Sequence, residues 1–335
     1  MTATRSWCSP ALTDADDRRH QLADTALARE SLIFILILPE EDLGAIAYTW
    51  VDGAGRAGSM GLVFGADNSQ LARFHVEGVE VPASADFDDW QVGPLSVRHG
   101  APHQVVDVAF THGDASLEYH FEAMTPAFSY HDNREGCPPF LADNRLEQSG
   151  RVRGTLRLGD RVVPFETTGH RDHSWGMRDW TAFHHYKWIN IQAEPDIAIN
   201  LMHGLAIDQL WQLGYVDRDG VQSPITTIDA DLERDVSTFS YTGLHLRLVD
   251  ELGRTTEVEA DHRNPVVVWP AGGMESHDAG GPCSVDGRPG LMHVEEGWQP
   301  EFVVRRKAMM TQEFDSDEAL RVLATNRDVG TVDNS

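Results

Sequence analysis

Between Gly169 and Trp180 the chain reads Gly-His-Arg-Asp-His-Ser-Trp-Gly-Met-Arg-Asp-Trp. Imidazole, carboxylate, guanidinium and indole each occur there more than once. A solvated turn rarely spends two tryptophans, and a core strand rarely spends four charges, so the mixture points to ionisable groups set in an apolar pocket. If the segment is a strand, alternation puts His170, Asp172 and Ser174 on one face and Arg171, His173 and Trp175 on the other. An aspartate in a dry cavity keeps its proton at neutral pH, because burial penalises the carboxylate. It can then protonate an alkene or a departing hydroxyl. Asp172 is the candidate acid and His170 its candidate relay, with His173 as a further candidate catalytic imidazole. Trp175 and Trp180 can turn their π faces to a developing cation. If the opposite face looks inward, Arg171 joins Trp175 as a substrate contact. Tyr186 and Trp188 alternate on one strand face and are candidates for cavity lining beside core packing. His203, next to Gly204, is a further candidate contact. The competing structural reading is a salt-bridge network, Arg171–Asp172 or Arg178–Asp179, that clamps two units together.

Metal chemistry has weak textual support. His170 and His173 are three apart, which places them on opposite strand faces, and His184, His185 and His203 lie further on. No metal site and no cofactor is therefore expected. The chain has no Gly-x-Gly-x-x-Gly opening a helix, no Walker phosphate loop and no Gly-x-Ser-x-Gly elbow. The net charge of −26 disfavours nucleic acid and anionic membrane surfaces as partners. Three widely spaced cysteines (Cys8, Cys137, Cys283) argue against a disulfide framework. The longest apolar run, Leu32 to Leu38, is too short to span a bilayer and has acidic flanks unlike a signal peptide. It reads as a buried strand, and a cytoplasmic location is the expectation.

From Ser31 onward, short apolar or alternating runs recur between Gly, Asp and Pro about every ten residues, the pattern of an antiparallel β-sandwich or barrel. Arg151–Leu158 and Arg161–Thr168 read as a hairpin, as do His184–Ala193 with Asp196–His203 and Gln209–Asp217 with Val221–Asp229. The expected organisation is an N-terminal helix or loose arm over 1–28, a first β-barrel over 29–183 carrying the motif, and a second over 184–335. Thr125–Leu146 and Ala271–Gly290 are expected to be long irregular loops. In the first of these, Asp132 and Arg134 are candidates to cover a pocket mouth.

The Gly169–Gly176 run resembles the Gly-Tyr-His-Asp-His-Asn-Trp-Gly type of motif found in the carotenoid 1,2-hydratase (hydroxyneurosporene synthase) and AttH-like superfamily. Gly169, Asp172, His173, Trp175 and Gly176 match, while His170, Arg171 and Ser174 replace Tyr, His and Asn. The resemblance implies an all-β fold of two tandem lipocalin-like barrels, with Asp172 as the proton donor to an isoprenoid double bond and His170 in the tyrosine position. An imidazole there shifts the expected step from hydration towards loss of water or proton transfer. The leading expectation is a cofactor-independent hydratase, dehydratase or isomerase of a terpenoid or other apolar alkene or alcohol, working through a carbocation-like state. The alternatives are a carrier of a hydrophobic small molecule and a histidine-based metalloenzyme.

Overall fold

The protein is seen in a computed structural model that describes residues 11–65, 69–234, 241–261, 267–271, 273–301, 303–304 and 325–327. Cys8 and the first ten residues of the arm lie outside this set, as does the side chain of Trp269. In the described part of the arm, Thr13 caps a single 3-10 turn, Asp14–Asp17, whose end is buried against the first barrel.

The first sheet holds β1 (Ala28–Leu38), β2 (Leu43–Asp52), β3 (Arg56–Gly65), β4 (Ser69–Glu80), β5 (Trp90–Val92), β6 (Leu95–His99), β7 (Val105–His112), β8 (Ala115–Ala123), β9 (Phe128–Ser129), β10 (Asn144–Leu158) and β11 (Arg161–Met177). They run in the order β4-β3-β2-β1-β11-β10-β8-β7-β6-β5, all antiparallel, with β9 added to β10. The two ends of this order approach each other. Ser59 on β3 donates to the Val92 carbonyl on β5 at 2.6 Å, and Phe74 on β4 meets Phe110 on β7 edge-on.

The second sheet holds β12 (Phe183–Ala193), β13 (Ile197–Ala206), β14 (Gln209–Arg218), β15 (Val221–Arg234), β16 (Tyr241–Asp250), β17 (Thr255–Asp261), β18 (Val267–Ala271), β19 (Met274–Val285), β20 (Arg288–Trp298) and β21 (Thr325–Arg327). The path β14-β13-β12-β20-β19-β17-β16-β15 closes on itself because β15 pairs back onto β14. Asp219 and Gly220, both at positive φ, make that hairpin turn, as an Asp-Gly pair between two alternating runs should. The fold is thus all-β, two antiparallel barrels in tandem. No helix among the described residues is long and apolar enough to cross a membrane.

Period-two alternation gives β1 and β12 two buried faces. On β1, Leu32, Phe34, Leu36 and Leu38 fill the first barrel, while Ile33, Ile35 and Ile37 face the second. On β12, Ile189 and Ile191 fill the second barrel, while Tyr186 and Trp188 face back. A third apolar core therefore lies between the barrels. This is why Leu32 to Leu38 is a continuous apolar run rather than an alternating one.

Two expected loops are more ordered than their composition suggested. Met274–Val285, expected as part of an irregular loop, is a twelve-residue strand. Its glycines serve packing. A Cβ built on Gly280 would stand 2.1 Å from Cδ1 of Ile37, so the missing side chain is what lets β1 seat against β19. Gly280→Val is expected to cost about 1–3 kcal/mol by overpacking, read as a lowered denaturant midpoint. In Thr125–Leu146, the buried Tyr130 donates to Asn200 Oδ1 at 3.0 Å, and Asn133 Oδ1 accepts from the Gly214 amide at 2.8 Å. The segment is a wedge between the barrels. Asp132 and Arg134 are exposed on its outer side.

Candidate functional site

Strand register writes the site. Across the first sheet, Glu147, Asp172, Ile33, Tyr48, Met60 and His75 are successive cross-strand partners, so they form one row on the face turned to the second barrel. Across the second sheet, Glu295, Trp188 and Met202 form the answering row. The rows enclose a cavity of about 180 Å³. Its inner end carries Asp172, Arg145, Trp188 and Glu295, all buried, and the side chains of His75 and Glu77, 43% and 70% exposed, mark its mouth. Trp180 and Tyr186 stack at 6.0 Å between centroids on one wall. The Tyr186 ring lies over Gly297, where a Cβ would come within 2.2 Å of it.

The cavity lies between the barrels, whereas a lipocalin-like reading places it in a lumen. The first lumen is packed largely with Leu, Val and Phe, the second with Leu, Ile and Val. The polar groups of β11 divide between the two faces as alternation requires. His170, Asp172 and Ser174 face the seam, and Arg171 and His173 face into the first barrel.

Asp172 Oδ2 sits 2.6 Å from Nη2 of Arg145, whose Nε donates to Glu147 Oε1 at 2.5 Å. One guanidinium thus serves two carboxylates. Glu147 also accepts from Trp188 Nε1 at 3.1 Å and from His170 Nε2 at 2.7 Å, and against its burial Arg145 and His170 hold it below the usual carboxylate range. Asp172 has no second donor, and its Oδ1 has no hydrogen-bond partner among the described residues. Burial pushes Asp172 up to about 7; Arg145 opposes this in part, and the charge of Glu147 reinforces it. Across the cavity, Glu295 accepts from the Tyr186 hydroxyl at 2.5 Å. Burial, with the nearby charge of Asp278, pushes Glu295 up to about 8.

His170 lies behind Glu147. Because an ionised carboxylate only accepts, Nε2 carries the proton, and Nδ1 accepts from Ser149 Oγ at 3.1 Å. Burial holds His170 below its ordinary pKa, so the ring is neutral. It reaches Asp172 only through Glu147 and Arg145. Of the other sequence candidates, Trp180, Tyr186 and Trp188 line the cavity. Arg171, His173, Trp175 and His203 do not border it. Arg171 pairs with Asp17 at 2.8 Å, Trp175 stacks on His20 at 3.9 Å, and His203 is buried on β13. The Arg171–Asp172 pair weighed from the sequence is absent for the same reason, since neighbouring strand residues point to opposite faces. The Arg178–Asp179 pair also does not form: Arg178 bonds Leu141 O, Ser31 and Ser174, and Asp179 caps the turn at Thr181.

One group has metal-ligand types. His20, Glu30 and His173 bring their ligand atoms within 4.8 Å of one another. Glu30 already accepts from His173 Nε2 at 2.7 Å, His20 Nδ1 at 2.8 Å and the His20 amide at 2.9 Å. Those donors saturate the carboxylate and tie the arm to β1 and β11.

Sequence reasoning missed Arg145, Glu147 and Glu295. The first two fall at the edge of Thr125–Leu146, where charges read as solvated. Arg145-x-Glu147 at alternate positions was the available signal.

The two-barrel arrangement defines a class. It is shared with a putative AttH from Nitrosomonas europaea (12% identity, 80% of this chain and 92% of that one, TM-score 0.56). It is shared with kievitone hydratase from Nectria haematococca (10% identity, 80% and 88%, TM-score 0.57) and with CghA in a structure with Sch210972 (11% identity, 81% and 88%, TM-score 0.59). At such identities the likeness is one of fold. Residues 13–300 match the family model described as "Domain of unknown function (DUF7064)", and the chain belongs to that family. No curated protein matches it.

Proposed function

We propose that this protein is a lyase that adds water to, or removes it from, a small isoprenoid-like alkene or alcohol, with Asp172 as the proton donor. The observation that carries the reading is a buried carboxyl, raised towards neutrality and with one oxygen unengaged, on the wall of an aromatic-lined cavity. The name of kievitone hydratase, which shares the fold, supports the class of reaction.

In the hydration direction, protonated Asp172 gives its proton through Oδ1 to one alkene carbon. The positive charge that develops on the other carbon faces the rings of Trp180, Tyr186 and Trp188. Water forms the new C–O bond from the side of Tyr186 and Glu295 and gives up one proton, which restores Asp172. Dehydration is the same path reversed. Arg145, 2.6 Å away, stabilises the carboxylate left after transfer. His170 is a positioning residue that holds Glu147, which holds Arg145.

The test is incubation of the purified protein with a panel of isoprenoid alkenes and alcohols in isotopically labelled water, read by mass spectrometry. Label should enter alkene substrates as a new hydroxyl. Because the protonated acid is the active form, kcat/KM should be full below about pH 7 and fall roughly tenfold per unit above it. A profile flat from pH 6 to about 9 would remove Asp172 as the acid.

A further inference from the structure

Three guanidiniums border the cavity: Arg29, Arg145 and Arg178. Arg145 is engaged by Asp172 and Glu147. Among the described residues the other two meet no carboxylate. Arg178, 6% exposed, donates to the Leu141 carbonyl at 3.2 Å, to Ser31 Oγ at 3.1 Å and to Ser174 Oγ, all neutral acceptors. Arg29 donates to the Tyr48 hydroxyl at 3.0 Å and lies over the Trp50 ring at 4.5 Å, and its buried Nε has no hydrogen-bond partner among the described residues. Ser31, which Arg178 contacts, is two residues from Arg29 on the same face of β1.

A buried cation normally has a counter-charge, because desolvation is otherwise uncompensated. This chain has 53 acidic side chains against 27 Lys and Arg, so carboxylates are abundant. Yet none is placed on either guanidinium among the described residues. The nearest acids in the cavity are committed elsewhere. Asp172 lies on Arg145, Glu295 on Tyr186, and Glu77 at the mouth on His75 at 2.8 Å.

We propose that Arg29 and Arg178 form an anion subsite, and that the substrate is an amphipathic organic acid whose carboxylate or enolate sits between them while its apolar body lies against Ile33, Met60, Trp180 and Trp188. This deepens the lyase reading and rests on the cavity being the substrate site. Planar two-point donors match such oxygens, and an anion between them compensates the two charges. Binding also feeds back on the chemistry. The charge of Arg178 holds Asp172 down, so an anion that neutralises Arg178 lets the acid keep its proton in the complex.

The test compares acid–alcohol pairs of one skeleton, geranic acid with geraniol and cinnamic acid with cinnamyl alcohol, by calorimetry at pH 8 on the wild-type protein. At least one acid should bind about tenfold or more tighter than its alcohol. Arg29→Gln, at a half-buried position, and Arg178→Lys, which keeps the charge but loses the fork, should each shrink that preference while leaving the affinity for the alcohol unchanged. Asp172→Asn should keep the preference while losing turnover, so retained turnover in that variant, or a wild type that binds acids and converts none of them, would count against the lyase reading alone. The subsite is overturned if no acid outbinds its alcohol, or if the preference survives in a folded Arg29→Gln Arg178→Gln double variant.

Discussion

Asp172→Asn is expected to lower kcat about 10³-fold while leaving KM and the fold intact. Asparagine has the size of aspartate, and its carbonyl can still accept from Arg145. It cannot deliver an acidic proton. The stability effect runs the other way, and this separates a catalytic role from a structural one. The folded protein holds Asp172 up to about 7, whereas the unfolded chain ionises it near 3.9. A raised carboxyl pKa means that stability is lost as pH climbs from the unfolded value through the folded one. Above about pH 7 the asparagine variant should therefore melt no lower than wild type, and higher if Arg145 is satisfied by Glu147 alone. A variant that is dead and more stable is the expected signature of a site that holds function against stability. A variant that melts lower and keeps its activity would make Asp172 a clamp. If wild type and variant bind the same alkenes and neither turns them over, the cavity belongs to a carrier.

The second large effect is on folding. Asp17→Asn should destabilise the protein by about 3–5 kcal/mol, measured as denaturant midpoints at pH 7. Asp17 is 1% exposed and accepts from Arg171 Nη1 at 2.8 Å and from the His103 amide at 2.8 Å. His99 Nδ1 stands 3.4 Å from the same carboxylate. These partners hold Asp17 well below the usual carboxylate range despite its burial. Its contribution is present above the unfolded value of about 3.9 and is lost as pH falls below it, so wild type and variant should converge in acid. Removing the charge leaves Arg171, itself fully buried inside the first barrel, without its carboxylate. The N-terminal arm thereby reaches the motif from behind. It fixes the far face of the strand whose near face presents Asp172.

Much of this was legible in the residues. Strand alternation alone separates His170 and Asp172 from Arg171 and His173, and that division holds through β11. The turn at Asp219-Gly220 and the hairpin β10–β11 read directly from their types. What could not be read was the neighbourhood that tunes Asp172. Glu147 and Arg145 stand opposite it and its neighbours by register with β10, while Glu295 comes from β20, more than a hundred residues downstream. Register across strands so far apart leaves no local pattern. The glycines of β19 misled for a physical reason, since glycine usually marks turns, and here it makes room for Ile37 from the other barrel. The cavity's place between the barrels was equally hidden, because both faces of β1 are apolar and either could have been the inner one.

The most direct measurement is carbon-13 NMR of protein labelled at the aspartate carboxyl, with the Asp172 resonance assigned by its disappearance in Asp172→Asn. The account expects that resonance to hold the position of a protonated carboxyl at pH 6 and to titrate near 7. A resonance already at the carboxylate position at pH 5, unchanged up to about pH 9, would show an ion pair and no acid, and the proposed chemistry would fall with it.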